Sequence, residues 1–167
     1  MLIKPLMNKK NFKEVIVVLD NIRSTYNVGA IFRSADAAGV NKIYLCGITP
    51  APPNPKISKV ALGAEDYVVW EKTKMTWRLL QKLKKGGYFI IALEQGKKAK
   101  DIFKNKFNKK QDKIVLLLGP EVRGLSNEIL KRTDQLLEIP MFGKKESLNV
   151  AVAFGIAIYQ ISISLND

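Results

Sequence analysis

The sequence predicts an α/β fold with a mostly parallel sheet and helices on both faces. Short, unbroken apolar runs rich in β-branched residues recur along the chain, which is typical of strands buried on both faces of a parallel sheet. Stretches with helical spacing of apolar residues alternate with these runs. At 167 residues and 47% hydrophobic, the chain can form one well-buried domain and is too short for two ordinary ones.

Six runs are predicted to be strands: residues 15–19, 43–46, 67–70, 88–93, 114–118 and 136–139. Between the second and third, four prolines in residues 49–55 predict a stiff loop without regular structure.

Helices are predicted between these strands. Asn27 is a good N-cap and Gly39 a natural end for the first, and Ser126 caps a later one. Phe103 and Phe107 recur at helical spacing within a segment of eight lysines, which predicts an amphipathic helix there. The predicted helices span residues 27–38, 73–85, 97–113, 126–132 and 147–165.

The charge balance predicts a polyanionic partner. With 28 Lys and Arg against 15 Asp and Glu, the net charge is +13, which favours nucleic acid ahead of a membrane surface. The alternative is a basic surface that only aids solubility.

Histidine is absent, which excludes Ser-His and Cys-His catalysis and the usual zinc ligands. We therefore expect no metal. Cys46 lies in an apolar run and is read as a small buried side chain. A single cysteine permits no internal disulfide, which fits a cytoplasmic protein.

Residues 147–165 contain no charged side chain, so a membrane-spanning helix is one interpretation. We favour a helix buried on most of its faces in a protein that is not in a membrane. A small domain has little surface with which to cover such a helix, so a partner subunit is expected.

The first motif surrounds Arg33, which lies four residues after Gly29 and therefore on the same helix face. A lone helical arginine is usually a surface charge. Because this one follows Asn21, Arg23 and Asn27, we interpret the group as a substrate-binding anion site. Gly29 costs roughly 1 kcal/mol relative to alanine inside a helix, so it is expected to make room for something.

The second motif, at residues 119–126, differs from a phosphate-binding P-loop by one residue, because Leu125 replaces the lysine. Gly119 would let a ligand approach the backbone, and Gly124 can supply a positive φ before the capped helix. Glu121 places a carboxylate at this site. Its structural alternative is an ion pair with Arg123 or Arg33.

The third motif places Ser147 and Asn149 at the start of the last helix, where free N–H groups favour anions. On local grounds it is equally reasonable that one of them is only an N-cap.

These three motifs carry a resemblance to a known family. The order N-x-R-x-x-x-N-x-G-x-x-x-R, then L-G-P-E-x-x-G-L, then I-P-M with S-L-N-V-A-V-A, resembles the SpoU-type (TrmH-like) RNA ribose 2′-O-methyltransferases of the SPOUT superfamily, from Asn21 to Tyr159. The resemblance implies a deep C-terminal trefoil knot, S-adenosylmethionine as co-substrate, a homodimer, and tRNA or rRNA as substrate. Many members carry a separate RNA-binding domain, whereas residues 1–167 read as one catalytic domain without it.

The resemblance also assigns residues by motif. It implies catalytic roles for Arg33, Glu121, Ser147 and Asn149, and a place for Asn27 beside the arginine. It implies that the cofactor lies against Leu93, Gly119, Ile139, Ser147 and Leu148.

The family's proposal makes arginine the base. Because arginine loses its proton only above about pH 12, we interpret Arg33 as a group that binds phosphate and stabilises the developing alkoxide. Two rival functions are a non-catalytic RNA-binding module on the same scaffold and, from residues 119–126 alone, a nucleotide-phosphate enzyme.

Overall fold

The computed structural model describes residues 13–166, whose strands form one seven-stranded parallel sheet in the order β3-β2-β1-β6-β4-β7-β5. The predicted α/β class is therefore confirmed. The strands are β1 (Glu14–Asp20), β2 (Lys42–Cys46), β3 (Trp70–Thr73), β4 (Phe89–Leu93), β5 (Lys100–Asp101), β6 (Lys113–Leu118) and β7 (Gln135–Glu138). The helices are α1 (Thr25–Ala37), α2 (Pro55–Ala61), α3 (Ala64–Tyr67), α4 (Thr76–Lys85), α5 (Asn127–Leu130) and α6 (Val150–Asn166).

Helices cover both faces of the sheet, as predicted. Alternate residues of β1 point to opposite sides, so Val17 lies in one apolar cluster and Val18 in the other. Helices α1, α2, α3 and α6 contribute to the first cluster. Helices α4 and α5 contribute to the second.

The third strand was predicted three residues too early. Residues 64–67 form α3, whose first turn carries Glu65 and Asp66, and acidic side chains there stabilise the positive end of a helix. The strand β3 that follows is an edge strand with exposed Glu71 and Lys72, so it lacks the continuous apolar run used for the prediction. The irregular loop predicted for residues 49–55 ends at Asn54, the N-cap of α2, and Pro55 opens that helix.

The amphipathic helix predicted for residues 97–113 is wrong. The segment contains the two-residue strand β5 and turns. The side chains of Asp101 and Asn108 each accept a hydrogen bond from the backbone N–H two residues later, at 2.9 and 3.0 Å. Such local bonds compete with helix formation. Phe103 is half exposed and only Phe107 packs against the core, so the two rings do not form one buried face.

Helix α6 packs against α1, and its buried face includes Phe154, Ile158 and Ile161. A second apolar face, formed by Val152, Tyr159 and Ile163, is about half exposed. No helix within residues 13–166 combines the length and apolarity that crossing a membrane requires. The trefoil knot implied by the resemblance stays a prediction.

Candidate active site

A cavity of about 310 Å³ lies at the carboxyl ends of β4, β6 and β7. In a parallel sheet this edge is where ligands bind, and the volume is within the range of small-molecule sites. All five residues predicted to contact a cofactor line it: Leu93, Gly119, Ile139, Ser147 and Leu148.

The loop after β6 has a fixed conformation. Gly124 adopts φ +67°, as predicted, and its N–H donates to the carbonyl of Pro120 at 2.9 Å. A Cβ atom on Gly119 would lie 2.6 Å from the Leu125 side chain. Glycine at position 119 is therefore required by packing within the loop, in addition to any approach of a ligand.

Glu94 is a site residue that the sequence reasoning missed. Its Oε2 accepts a hydrogen bond from the Leu125 N–H at 2.9 Å, and its Oε1 accepts one from the Gln95 N–H at 3.1 Å. Glu94 and Gln95 line the cavity together with Leu93. Because they directly follow the predicted strand 88–93, extending the strand-end argument by two residues would have found them.

Asn27 connects the three motifs. Its side-chain amide donates to Oε1 of Glu121, and its side-chain oxygen accepts from the amide of Asn149 at 3.0 Å. Asn27 is buried, whereas Glu121 and Asn149 are exposed, so both bonds are partly buried. The alternative of an ion pair between Glu121 and an arginine is not observed in the described part of the chain.

Asn27 is free to make these contacts because Ser24 is the N-cap of α1. The Ser24 hydroxyl accepts the N–H of Asn27 at 3.2 Å. The prediction that Asn27 caps this helix is therefore wrong by one turn. Serine is at least as good a cap as asparagine, and it leaves the Asn27 side chain pointing at Glu121.

Asn149 both caps the start of α6 and donates a hydrogen bond to Asn27. Its Oδ1 accepts the N–H groups of Ala151 and Val152 at 2.9 and 3.3 Å, and its amide remains available for Asn27. The two alternatives for Asn149 are thus compatible. Ser147 precedes the helix, is exposed and lines the cavity.

The arginines are not joined to this chain of hydrogen bonds. Arg23 and Arg33 are exposed, and within residues 13–166 neither makes a hydrogen bond or an ion pair. Neither lines the cavity. Gly29, one turn before Arg33, makes room for helix α2, because a Cβ there would lie 2.7 Å from the carbonyl oxygen of Ile57.

Thiol and metal chemistry find no support at this site. Cys46 is fully buried, as predicted, and burial raises the pKa of its thiol to about 12, so the reactive thiolate does not form near neutral pH. Across residues 13–166, no group of three or more His, Cys, Asp or Glu side chains is arranged to hold a metal ion.

Residues 14–159 match the model of the SpoU rRNA methylase family. The chain belongs to this family. It is 33% identical over 146 residues to a 23S rRNA (guanosine-2′-O-)-methyltransferase of Vibrio parahaemolyticus, with 87% of this chain and 58% of the relative covered. It is 33% identical over 153 residues to a tRNA (guanosine(18)-2′-O)-methyltransferase of Aquifex aeolicus, with 91% and 70% covered.

Among solved structures, the AdoMet-bound rRNA methyltransferase of Sinorhizobium meliloti superimposes with a TM-score of 0.82 at 29% identity, covering 90% of this chain and 56% of that one. The sheet and its surrounding helices are therefore the fold of this family. The chain spans about three fifths of the length of several of its curated relatives.

Proposed function

We propose that this protein is an S-adenosylmethionine-dependent RNA ribose 2′-O-methyltransferase. The observation that carries the proposal is the pair of hydrogen bonds made by Asn27. They bring Glu121 and Asn149, from motifs 94 and 122 positions away, to one point beside the cavity. A protein that only bound RNA would have no need for this arrangement beside a small-molecule cavity.

The cavity fits the proposed methyl donor. It is lined by backbone and apolar side chains at Leu93, Gly119, Ile139 and Leu148, with a carboxylate at Glu94. Apolar walls suit an adenine ring, and the exposed backbone groups and the carboxylate suit its polar parts. S-Adenosylmethionine supplies a methyl group already activated on a sulfonium. The remaining task of the protein is to orient a ribose hydroxyl and assist the loss of its proton.

The hydrogen-bonded chain prepares Glu121 for this task. Asn27 holds one carboxylate oxygen of Glu121 and leaves the other available at the cavity wall. Ser147 offers a hydroxyl to the same cavity. We assign Glu121 and Ser147 to positioning the substrate and the cofactor, and Asn27 and Asn149 to fixing Glu121.

Arg33 is assigned to RNA phosphate and to the developing alkoxide. It is exposed and has no partner among the described residues, so its guanidinium is available to an anion. A guanidinium forms paired hydrogen bonds with phosphate and keeps its proton at physiological pH. Arg23, also exposed, is assigned to the same RNA-binding surface.

We also propose a homodimer formed through α1 and α6. Tyr26 of α1 and Val152, Tyr159 and Ile163 of α6 are apolar and about half exposed or more. These two helices pack together, so the exposed residues belong to neighbouring elements. A second copy of the chain would bury them.

The proposed substrate is tRNA, with rRNA as the second candidate, and the proposed location is the cytoplasm. The named relatives act on one or the other of these RNAs. The net charge of +13 supports a polyanionic substrate without choosing between them.

Calorimetry with S-adenosylmethionine and with ATP tests the proposal at the cavity. We expect binding of S-adenosylmethionine, no binding of ATP, and transfer of a labelled methyl group to RNA. Binding of ATP instead would support a nucleotide-phosphate enzyme. RNA binding without either small molecule would support a non-catalytic RNA-binding module.

A further inference from the structure

Five lysines lie close in sequence to residues that line the cavity, three of them after Gln95 and two between Met141 and Ser147. The loop after β4 carries two lysines, the first residue of β5 is a third, and the loop before α6 carries two more. We call these the rim lysines: Lys97, Lys98, Lys100, Lys144 and Lys145. All five side chains are available to a ligand, because each residue is exposed and none forms an ion pair in the described part of the chain.

A side-chain contact joins the two loops. The amide of Gln95 donates to the carbonyl of Glu146 at 2.6 Å, and Gln95 itself lines the cavity. Lys97 lies two residues after one end of this contact, and Lys145 one residue before the other. Lysines distant in sequence are thus brought to one side of the cavity mouth.

From this rim the chain descends past β5 and β7 and then reaches the amino ends of the central strands. Asp101 in β5 is paired with Glu138 at the carboxyl end of β7. Asn105 then accepts a hydrogen bond from Gln135 at the other end of β7, and the carbonyl of Asp112 accepts from Glu14 at the start of β1. The descent therefore covers the height of the sheet, about 17 Å for a six-residue strand.

Four more exposed lysines lie on this descending segment, and three of them are unpaired. Lys104 is paired with Asp101 at 3.5 Å, whereas Lys106, Lys109 and Lys110 make no ion pair among residues 13–166. We call these three the edge lysines. Because the segment is an extended loop and not the predicted helix, its cations are spread from the β5 edge to the amino ends of β4, β6 and β1.

We propose that the rim and edge lysines form a continuous RNA-backbone surface. It enters the active site at the cavity mouth, runs down the β5 edge of the sheet and continues past the amino ends of β4, β6 and β1. This inference rests on the proposed function. We choose RNA over other polyanions because the surface ends where the methyl donor would bind. The rim lysines contact phosphates close to the target ribose. The edge lysines contact phosphates farther along the strand.

The alternative is that these lysines are solvent-exposed charges that only keep the protein soluble. A matched control separates the two. Lys74 follows β3, the opposite edge of the sheet. The pKa of the Glu71 carboxyl in β3 is lowered chiefly by the hydrogen bond from Lys42 and in addition by the charge of Lys82, which therefore lies near this edge. The two edges are six strand spacings apart, about 29 Å. The variant K74Q/K82Q therefore removes the same charge as K98Q/K145Q, but far from the proposed surface.

RNA binding is measured by fluorescence anisotropy for each variant against salt concentration, with circular dichroism as a check of folding. We expect K98Q/K145Q to weaken binding roughly tenfold near physiological salt and to make the slope of log K against log salt shallower by about 1.5. The control variant should bind as the parent protein does. Equal weakening in both variants would contradict the proposal, since it would reflect net charge alone.

The edge lysines are tested by RNA length. K106Q/K109Q/K110Q should weaken binding of a long RNA and leave binding of an oligonucleotide of a few residues unchanged, because the short RNA reaches only the rim. Weakening that is independent of length would contradict the proposed path. Lysine-dependent binding to phosphatidylserine vesicles that exceeds binding to RNA would also contradict it.

Failure of this inference differs from failure of the proposed function. If the parent protein methylates RNA but K98Q/K145Q binds RNA like the control, the lysine surface is wrong and the enzyme assignment stands. If the parent protein neither binds S-adenosylmethionine nor transfers methyl, while K98Q/K145Q still loses RNA binding selectively, the surface stands and the enzyme assignment fails.

Discussion

The side-chain amide of Asn149 donates a hydrogen bond of 3.0 Å to the side-chain oxygen of Asn27, across 122 positions of sequence. This contact ties the start of α6 to the first turn of α1. Because Asn27 also donates to Glu121, the position of that carboxylate depends on both helices. The site is therefore assembled by the fold, and two of our predictions concern how its parts are held.

Asn149→Asp separates helix capping from site assembly. Aspartate caps a helix as well as asparagine does, so the contribution of the cap to stability should be kept. It has no amide to donate, so the chain from Asn149 through Asn27 to Glu121 is broken whichever way the Asn27 amide turns. We expect kcat for methyl transfer to fall by roughly 10²-fold, the size of effect that misplacement of a positioned group produces.

Asn149→Ala is the companion variant, because it removes both functions and should also cost about 1 kcal/mol of stability. Unfolding and activity are measured on both variants. An Asn149→Asp protein with full activity would mean that Asn149 is only a cap.

Glu94→Gln tests whether Glu94 holds the loop that forms the cavity wall. Each oxygen of Glu94 now accepts one backbone N–H, from Gln95 and from Leu125. Glutamine keeps only one acceptor oxygen, so one N–H loses its partner at a cost of about 1–3 kcal/mol. Calorimetry should show S-adenosylmethionine affinity reduced roughly tenfold.

Glu128→Gln is the matched control, since Glu128 is an exposed carboxylate on α5 whose nearest cation, Arg132, is 3.9 Å away. Equal affinities of the two variants for S-adenosylmethionine would mean that Glu94 does not hold the cofactor site.

Arg33 distinguishes phosphate binding from proton abstraction. Arg33→Lys keeps the charge and loses the planar fork, whereas Arg33→Ala loses both. If Arg33 binds phosphate, lysine should retain measurable activity, alanine should lose roughly 10²-fold or more, and RNA binding by the alanine variant should depend less on salt. Cofactor affinity should be unchanged in both, because Arg33 does not line the cavity. Two equally inactive variants with normal RNA binding would instead favour arginine as the base.

The proposed dimer is tested by placing charge on the exposed face of α6. Tyr159→Glu should convert a dimer into a monomer in sedimentation at micromolar concentration, because a carboxylate would be buried without a partner. Val69→Glu is the control: Val69 is 60% exposed and directly precedes β3, at the edge of the sheet. A parent protein that sediments as a stable monomer would contradict the dimer.

The parallel sheet could be predicted from sequence because its central strands are continuous apolar runs. Val17 and Leu116, for example, lie in such runs and are fully buried. The edge strands β3 and β5 lack this signal, since half of their residues or more face water. In residues 97–113, the side chains of Asp101 and Asn108 form turns by accepting backbone N–H groups, and these turns prevented the helix that the spacing of the phenylalanines predicted.

The residues at the site could be identified from sequence, but their partners could not. Asn27 and Asn149 both have good capping chemistry, and only the fold decides that Ser24 caps α1 while Asn149 caps α6 and also reaches Asn27. The role of Glu94 depends on a hydrogen bond to Leu125, 31 positions away, for which the sequence carries no local pattern. Long-range contacts of this kind follow from packing of the whole sheet.

The position of the transferred methyl group tests the central claim most directly. The parent protein is incubated with RNA and methyl-labelled S-adenosylmethionine, and the RNA is hydrolysed in alkali, which requires a free 2′-hydroxyl to cleave the backbone. We expect the label in alkali-resistant dinucleotides, and in 2′-O-methyl nucleosides after enzymatic digestion and mass spectrometry. Label on a base, or no transfer to either tRNA or rRNA by a protein that is folded and binds both the cofactor and RNA, would contradict the account.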